Sequence, residues 1–476
     1  MVFHRIDVKA VHSWDESLFA TRAFYMAHHG EYFTNWKDID YGQLDHPNTK
    51  PPLITLVQAA SFKIFGFNRW ALRFPIAMLG LLTAGLLLAF LRKISGTYTL
   101  AILGAILLLS TPGYNHHHVL RTGDHDTAIA LLLFSSLVSF IGVQFSKRPN
   151  AFLILFLSIT GLAIITKSIM GAMMLPGIAI YALFFTPVIQ LFKKPGLYIG
   201  LGLMVLIVFL FYGLTEISQP GFLQLVWDNE VGGRYVKGID NHVEPWYFYI
   251  MYLGKKGLNP YWIFTLLGIW FGIRSRNQLI KHTTLLLSIC GLVFLAVISQ
   301  SDTKLIWYAA PLYPIAAVLA AIGAWSLAEQ LMLPLLNRAT GASLSNKWLW
   351  LGYIALLAIP ASKLIERNSR ETTSYPYERY ELHLEKLHEQ YPELKYLKVH
   401  TNNEWYPNLV YVGNVFKKIH NLELEFITSK NEINKDDLIF GVYHPRMDPY
   451  KMKVIERYGP KGDVKLWRVL STGGAE

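Results

Sequence analysis

The chain has 476 residues, of which 52% are hydrophobic and 16% charged, with a mean hydropathy of +0.29. That balance excludes an ordinary soluble protein, in which about 25% of residues are charged, and the apolar residues run in stretches of roughly spanning length instead of the short alternating segments of a barrel. The net charge of +11 gathers at one set of span ends, which fits membrane orientation better than nucleic-acid binding, and the single cysteine, Cys290, excludes an internal disulfide and a cysteine-based metal site.

Met1 to Ser13 is polar and lacks the apolar core of a cleavable signal peptide. From Asp15 to His29, the apolar residues Leu18, Phe19, Ala23, Met26 and Ala27 suit an amphipathic helix lying along a membrane surface. Glu31 to Lys50 is polar and turn-rich, and Pro51 to Phe67 is a short apolar segment, interfacial or re-entrant. About ten spans of bilayer length follow. They are expected near 74–92, 98–115, 125–146, 151–167, 170–192, 197–215, 259–275, 283–300, 305–327 and 347–362.

Flanking charges orient these spans. One set of turns carries Arg92 and Lys93, Lys147 and Arg148, Lys193 and Lys194, Arg274, Arg276 and Lys281, and Arg338 and Lys347. Positive residues mark the cytoplasmic side. The first loop, the Arg121–Asp126 turn, the long loop 216–258 and the tail then face outward. With both ends outside, a further helix is expected upstream of Met1. After Glu366 the charge rises and the apolar runs shorten. Leu394–His400, Leu424–Ile427 and Asp437–Tyr443 read as strands, and Pro407–Lys418 as a helix with proline in its first turn. The expected organisation is a first outer loop with interfacial helices (1–73), a transmembrane helical domain (74–362) and an extracytoplasmic α/β domain (363–476).

The polar residues that can carry chemistry sit in the outer loops. Asp15 and Glu16 can act as a general base or hold a divalent metal, or can belong to the cap and first turn of the amphipathic helix. Lys50 precedes Pro51 and Pro52, which stiffen the turn; such a lysine can meet a phosphate or merely anchor at the interface. The run His116-His117-His118-Val119-Leu120-Arg121-Thr122-Gly123-Asp124-His125-Asp126 joins two spans, and one of its two aspartates can cap the next span while the other faces a site. Arg234 and His242, before the aromatic run Trp246–Tyr249, can bind an anionic head group, as can Lys304 after Asp302 and Thr303. Most of the aromatics read as interfacial belt.

These marks together resemble the GT-C glycosyltransferases that use polyprenyl-phosphate sugars, in the branch of the lipid A aminoarabinose transferases and protein O-mannosyltransferases. The resemblance covers about residues 14–330 and rests on Trp14-Asp15-Glu16, Lys50-Pro51-Pro52-Leu53, Phe65-Gly66 followed by Arg73-Phe74-Pro75, Arg121 to Asp126, Gly161-Leu162-Ala163 with Thr166-Lys167, His242 with Pro245 to Tyr249, and Thr303-Lys304 with Pro311 to Pro314, in the family's order. It implies a GT-C-like polytopic α-helical membrane protein with a small soluble α/β domain. The implied activity is an inverting sugar transfer from a polyprenyl-phosphate donor to a lipid, glycan or protein hydroxyl outside the cytoplasmic (inner) membrane. Asp15 would match the catalytic acid, and Asp126, or else Asp124, the second-loop acid. Lys50, with Arg234, His242 and Lys304, would hold the leaving phosphate. The aminoarabinose transferases carry an acid before Lys-Pro-Pro where this chain has Thr49, a departure that weakens both a metal site borrowed from them and the assignment of their substrate.

A transporter or flippase for lipid-linked sugars is the competing reading. Transporters place ionisable groups within helices near the midplane. Here the acids gather in the outer loops, which favours the enzyme.

Overall fold

The computed structural model describes residues 2–30, 49–236, 243–340, 347–370, 378–401, 407–427, 433–442, 447, 450–459 and 462–472. In chain order the principal helices are α1 (Asp15–His28), α2 (Leu53–Phe65), α3 (Arg69–Ser95), α4 (Tyr98–Ser110), α5 (Asp126–Phe145), α6 (Pro149–Lys167), α7 (Leu175–Phe185), α8 (Pro195–Val208), α9 (Trp262–Ile273), α10 (Gln278–Gln300), α11 (Leu312–Leu327) and α12 (Lys347–Ser369). The tail adds α13 (Glu378–Gln390), β1 (Tyr396–His400), α14 (Pro407–His420), β2 (Glu423–Ile427), β3 (Leu438–Val442), β4 (Tyr450–Tyr458) and β5 (Val464–Thr472).

The chain divides into two units. The first comprises Met1–Arg5, Thr49–Ile54 and Phe74–Ser369; the second comprises Ile6–Asn48, Thr55–Arg73 and Arg370–Glu476.

The first unit is the membrane domain. Among the described residues, seven helices are long and apolar enough to cross a membrane: Arg69–Ser95, Asp126–Phe145, Pro149–Ala172, Pro195–Ser218, Gln278–Gln300, Leu312–Ala339 and Leu349–Ser369. The other three expected spans fall on the shorter apolar helices α4, α7 and α9. Helix α7 is short for a local reason. Residues Ser168–Ala172 form a 3-10 turn before it, and Pro187 holds Thr186 in the extended region after it. Helix α10 starts cleanly because the Asn277 side chain accepts from the amides of Leu279 (2.9 Å) and Ile280 (3.3 Å). Nearly every side chain of α11 is buried, and α9 packs directly along it. Glycine permits that approach: a Cβ at Gly268 would sit 1.7 Å from the Leu319 carbonyl oxygen, and one at Gly323 2.0 Å from that of Phe264.

The second unit joins the N-terminal segment to the tail in one core. Its sheet has the order β2-β1-β3-β5-β4, with β1 parallel to β2 and β3, and β5 antiparallel to β3 and β4. The three strands and the helix expected from the sequence are present, and α13, β4 and β5 complete the domain. Helix α1, expected along the membrane surface, instead buries Ala20, Ala23, Phe24 and Met26 in a core with Leu409, Val412 and Phe416 of α14. An apolar face needs only a dry partner, and α14 supplies one.

Candidate functional site

The membrane unit concentrates its polar chemistry at one end. Helices α5 and α6 are joined by the short basic turn Ser146-Lys147-Arg148, so the start of α5 and the end of α6 meet at the opposite end. Asp126 opens α5 and Lys167 closes α6. Lys167 Nζ donates to Asp126 Oδ1 at 2.5 Å, with the carboxylate almost wholly buried. The same ammonium lies 5.8 Å from the centre of the Tyr308 ring, within cation–π range. A charge pair taken out of water holds its place only when each member keeps its partner.

Beside this pair lies a cleft lined by Lys50, Lys167, Glu230, Ser301 and Tyr308, with an apolar wall from Ile169, Met170, Met173 and Ile298. Lys50 donates to Glu230 Oε1 at 2.5 Å, and Thr49 Oγ1 donates to the same oxygen at 3.2 Å. Glu230 arrives from the π-helical segment Trp227–Val236 of the long connection. Lys304 is buried and donates to the Ser301 carbonyl at 2.6 Å, so it braces the turn that carries Ser301. The cleft thus offers two lysines, one carboxylate, a hydroxyl and a phenol over a greasy floor. This set suits an anionic head group on a hydrocarbon chain.

Asp124 is occupied differently from Asp126. Its Oδ1 lies 3.1 Å from His118 Nδ1, and its Oδ2 accepts from Thr122 Oγ1 at 2.5 Å. The His118 amide donates to Thr122 Oγ1 at 2.7 Å, which closes a ring of three residues. The His118 imidazole stacks on Trp307 at 3.7 Å and 12°. His118 and Asp124 are a metal-type ligand pair, but each holds the other through a hydrogen bond. Neither aspartate caps α5: the N-cap is His125, whose side chain makes no capping bond. Arg121 donates to the carbonyls of Val2, His4 and Arg5, fastening the first residues of the chain.

In the second unit, Asp15 and Glu16 open α1, behind Trp14 at φ +72°. A positive φ on a tryptophan is strained, and strain of this kind collects at functional positions. The Trp14 side chain makes no capping bond to α1. Glu16 is fully buried in an ion pair with Arg73, from Nε to Oε1 at 2.6 Å and from Nη2 to Oε2 at 2.9 Å. Arg73 spends its other donors on the carbonyls of Ile6, Lys9 and Ala10, at 2.7 to 2.9 Å. Glu16 Oε2 also accepts the His12 amide at 2.7 Å. Glu16 therefore braces the turn on which Asp15, half-buried, is carried. Of the remaining sequence candidates, His242 lies outside the described residues, as does the side chain of Arg234.

Comparison with known proteins accords with this geometry. Residues 49–212 match the family described as dolichyl-phosphate-mannose-protein mannosyltransferase. ArnT from Cupriavidus metallidurans, solved bound to undecaprenyl phosphate, superposes with a TM-score of 0.68 at 17% identity, over 100% of this chain and 97% of that one. The chain has a GT-C fold. An Archaeoglobus fulgidus oligosaccharyltransferase, AglB, solved with an inhibitory peptide and a dolichol-phosphate, shares this fold more distantly, with a TM-score of 0.52 at 15% identity over 89% of this chain and 63% of its own. An uncharacterized protein of Aquifex aeolicus is 24% identical over 324 residues, 67% of this chain and 61% of the relative's own length.

On this GT-C scaffold the sequence reading had not given a site role to Lys167, Glu230 or Tyr308. Lys167 carried a signal all the same: it is a lone cation at the end of an apolar span, at the acid-rich end of the bundle, where an ionisable residue needs a reason. Glu230 had none. It meets Lys50 across 180 positions of sequence.

Proposed function

We propose that the chain is a membrane glycosyltransferase that moves a sugar from a polyprenyl-phosphate carrier to a hydroxyl of a lipid, glycan or protein on the outer face of the cytoplasmic membrane. The observation that carries this reading is the cleft in which Lys50 and Lys167 converge above an apolar wall, in a fold that ArnT uses with undecaprenyl phosphate. The arginines and lysines between Ser146 and Pro149, and those between α9 and α10, stand at the opposite span ends. That supports an outward-facing cleft.

In the proposed reaction the acceptor hydroxyl oxygen attacks the anomeric carbon. The bond from that carbon to the phosphate oxygen breaks, and the polyprenyl phosphate leaves with the electron pair. A single displacement inverts the anomeric centre. The hydroxyl proton passes to a carboxylate, for which Asp15 is the proposed base. Glu16 keeps Asp15 in place through Arg73. Lys50 and Lys167 stabilise the growing charge on the phosphate. Asp126 holds Lys167 in place, Asp124 fixes the His118 turn, and Lys304 holds Ser301 in the cleft wall.

The test uses the purified full chain in detergent with a panel of polyprenyl-phosphate sugars and a panel of hydroxyl acceptors, following release of free polyprenyl phosphate. Wild type is expected to release it, and Asp15→Asn and Lys50→Met to lose at least two orders of magnitude in rate, the scale of general-base and electrostatic contributions, about 10²- to 10⁴-fold. Full activity in Asp15→Asn would remove that residue from the chemistry. Absence of release from every donor by wild type would refute the proposal.

A further inference from the structure

We infer that Glu230 sets the preference of the cleft between the donor, a phosphodiester, and the spent carrier, a phosphomonoester, by competing for the Lys50 ammonium. The inference rests on the donor reading above. In this structure Lys50 already has an anionic partner: Glu230 Oε1 lies 2.5 Å from its Nζ, with both side chains mostly buried. Lys167, across the same cleft, is likewise held by Asp126. Two cations thus face two carboxylates, and a phosphate that reaches Lys50 competes with Glu230 for its ammonium.

The chemistry of the two ligands makes this exchange selective. A phosphodiester carries one negative charge, whereas a phosphomonoester carries about 1.5 to 2 at pH 7, because its second pKa is about 6. Two unopposed lysines would hold the spent carrier harder than the incoming donor, and transfer would stall on its own product. A carboxylate that returns to Lys50 weakens the grip on both ligands, and most on the one with more charge. Glu230 is placed for this on the π-helical segment Trp227–Val236, a winding common at functional sites. Thr49 Oγ1, donating to the same carboxylate oxygen, steers it toward the lysine.

A purely structural pair between the Thr49–Lys50 turn and the long connection would change stability and leave the ratio of the two affinities alone. The experiment therefore measures that ratio. Farnesyl phosphate and its methyl diester are titrated into the full chain in detergent at pH 7.5, by calorimetry, for wild type and Glu230→Gln. The variant is expected to bind the monoester about tenfold more tightly, the size of one charge-assisted hydrogen bond, and to gain less for the diester. Glu230→Asp, which draws the carboxylate back by one methylene, is expected to move the ratio the same way by a smaller factor, and it carries the test if the glutamine variant does not fold. An unchanged ratio in the folded variants would overturn the inference and leave the donor reading standing. Failure of wild type to bind either probe would overturn the donor reading and this inference with it.

Discussion

Lys167 and Asp126 pose a clean energetic question, because each is buried only in the company of the other. Their charged atoms are 2.5 Å apart, and the side chains are 15% and 3% exposed. At an effective dielectric of about 20, unit charges at that distance attract by roughly 6–7 kcal/mol, and desolvation takes back much of it. Truncating one member leaves the other charge stranded, which costs about 3–5 kcal/mol. Lys167→Met and Asp126→Asn are each expected to destabilise the membrane unit on that scale. The double variant has no stranded charge and is expected to recover about 2–3 kcal/mol relative to the sum of the single changes. The chain supplies its own reporter. Cys290, the single cysteine, is buried within α10 in the same unit, so a thiol-reactive fluorophore labels it only as that unit opens. Melting curves of the four proteins in one detergent give the cycle. Additive losses in the double variant would refute the account of a mutually dependent pair. Recovery of stability without recovery of transfer would separate what the pair does for folding from what Lys167 does for the phosphate.

Three further outcomes follow from the packing. Arg73→Met strands the buried Glu16 carboxylate and is expected to cost about 3–5 kcal/mol, read as faster amide exchange through α1; unchanged protection there would refute the five-bond clamp. Gly268→Ala sets a methyl against the Leu319 carbonyl oxygen, which backbone cannot yield, and is expected to lower the Cys290-reported melting temperature steeply, whereas the exposed Gly202→Ala, with open space around it, leaves it unchanged. In the second unit, burial foremost, then Lys386 and Arg379 against the pull of Asp463, lowers the His383 pKa below 6.5. The unfolded chain then takes up the proton first, so stability is full above pH 6.5 and is lost as pH falls from there through the lower folded value. Amide exchange of α13 measured across that window is expected to quicken with acid in wild type and to lose that dependence in His383→Phe.

The parts of this molecule that repeat a local rule could be read from the chain, and the parts made by distant encounters could not. Spanning helices announce themselves by length and apolarity, and basic turns by their asymmetry, so ten expected spans land on seven long helices and three short ones. The strands β1, β2 and β3 were visible as short runs of alternating or apolar residues, while β4, at the edge of the sheet, was hidden among its charged residues Lys451, Lys453, Glu456 and Arg457. Helix α1 showed its apolar stripe correctly, but a stripe does not say whether lipid or α14 will cover it. The site divides the same way. Asp15, Lys50 and Asp126 stand next to turns whose stiffness or charge singles them out. The partners that define their chemistry come from 41 positions away for Asp126 and 180 for Lys50. No periodicity connects Lys50 to Glu230, since the encounter depends on the long connection folding back over the start of the membrane unit. A lysine that sequence presents as an open phosphate binder is in the fold a lysine already paired with a carboxylate. Under the proposed reading that pairing makes Lys50 a point of exchange, and the affinity for a phosphomonoester is then the quantity that a change at Glu230 moves most.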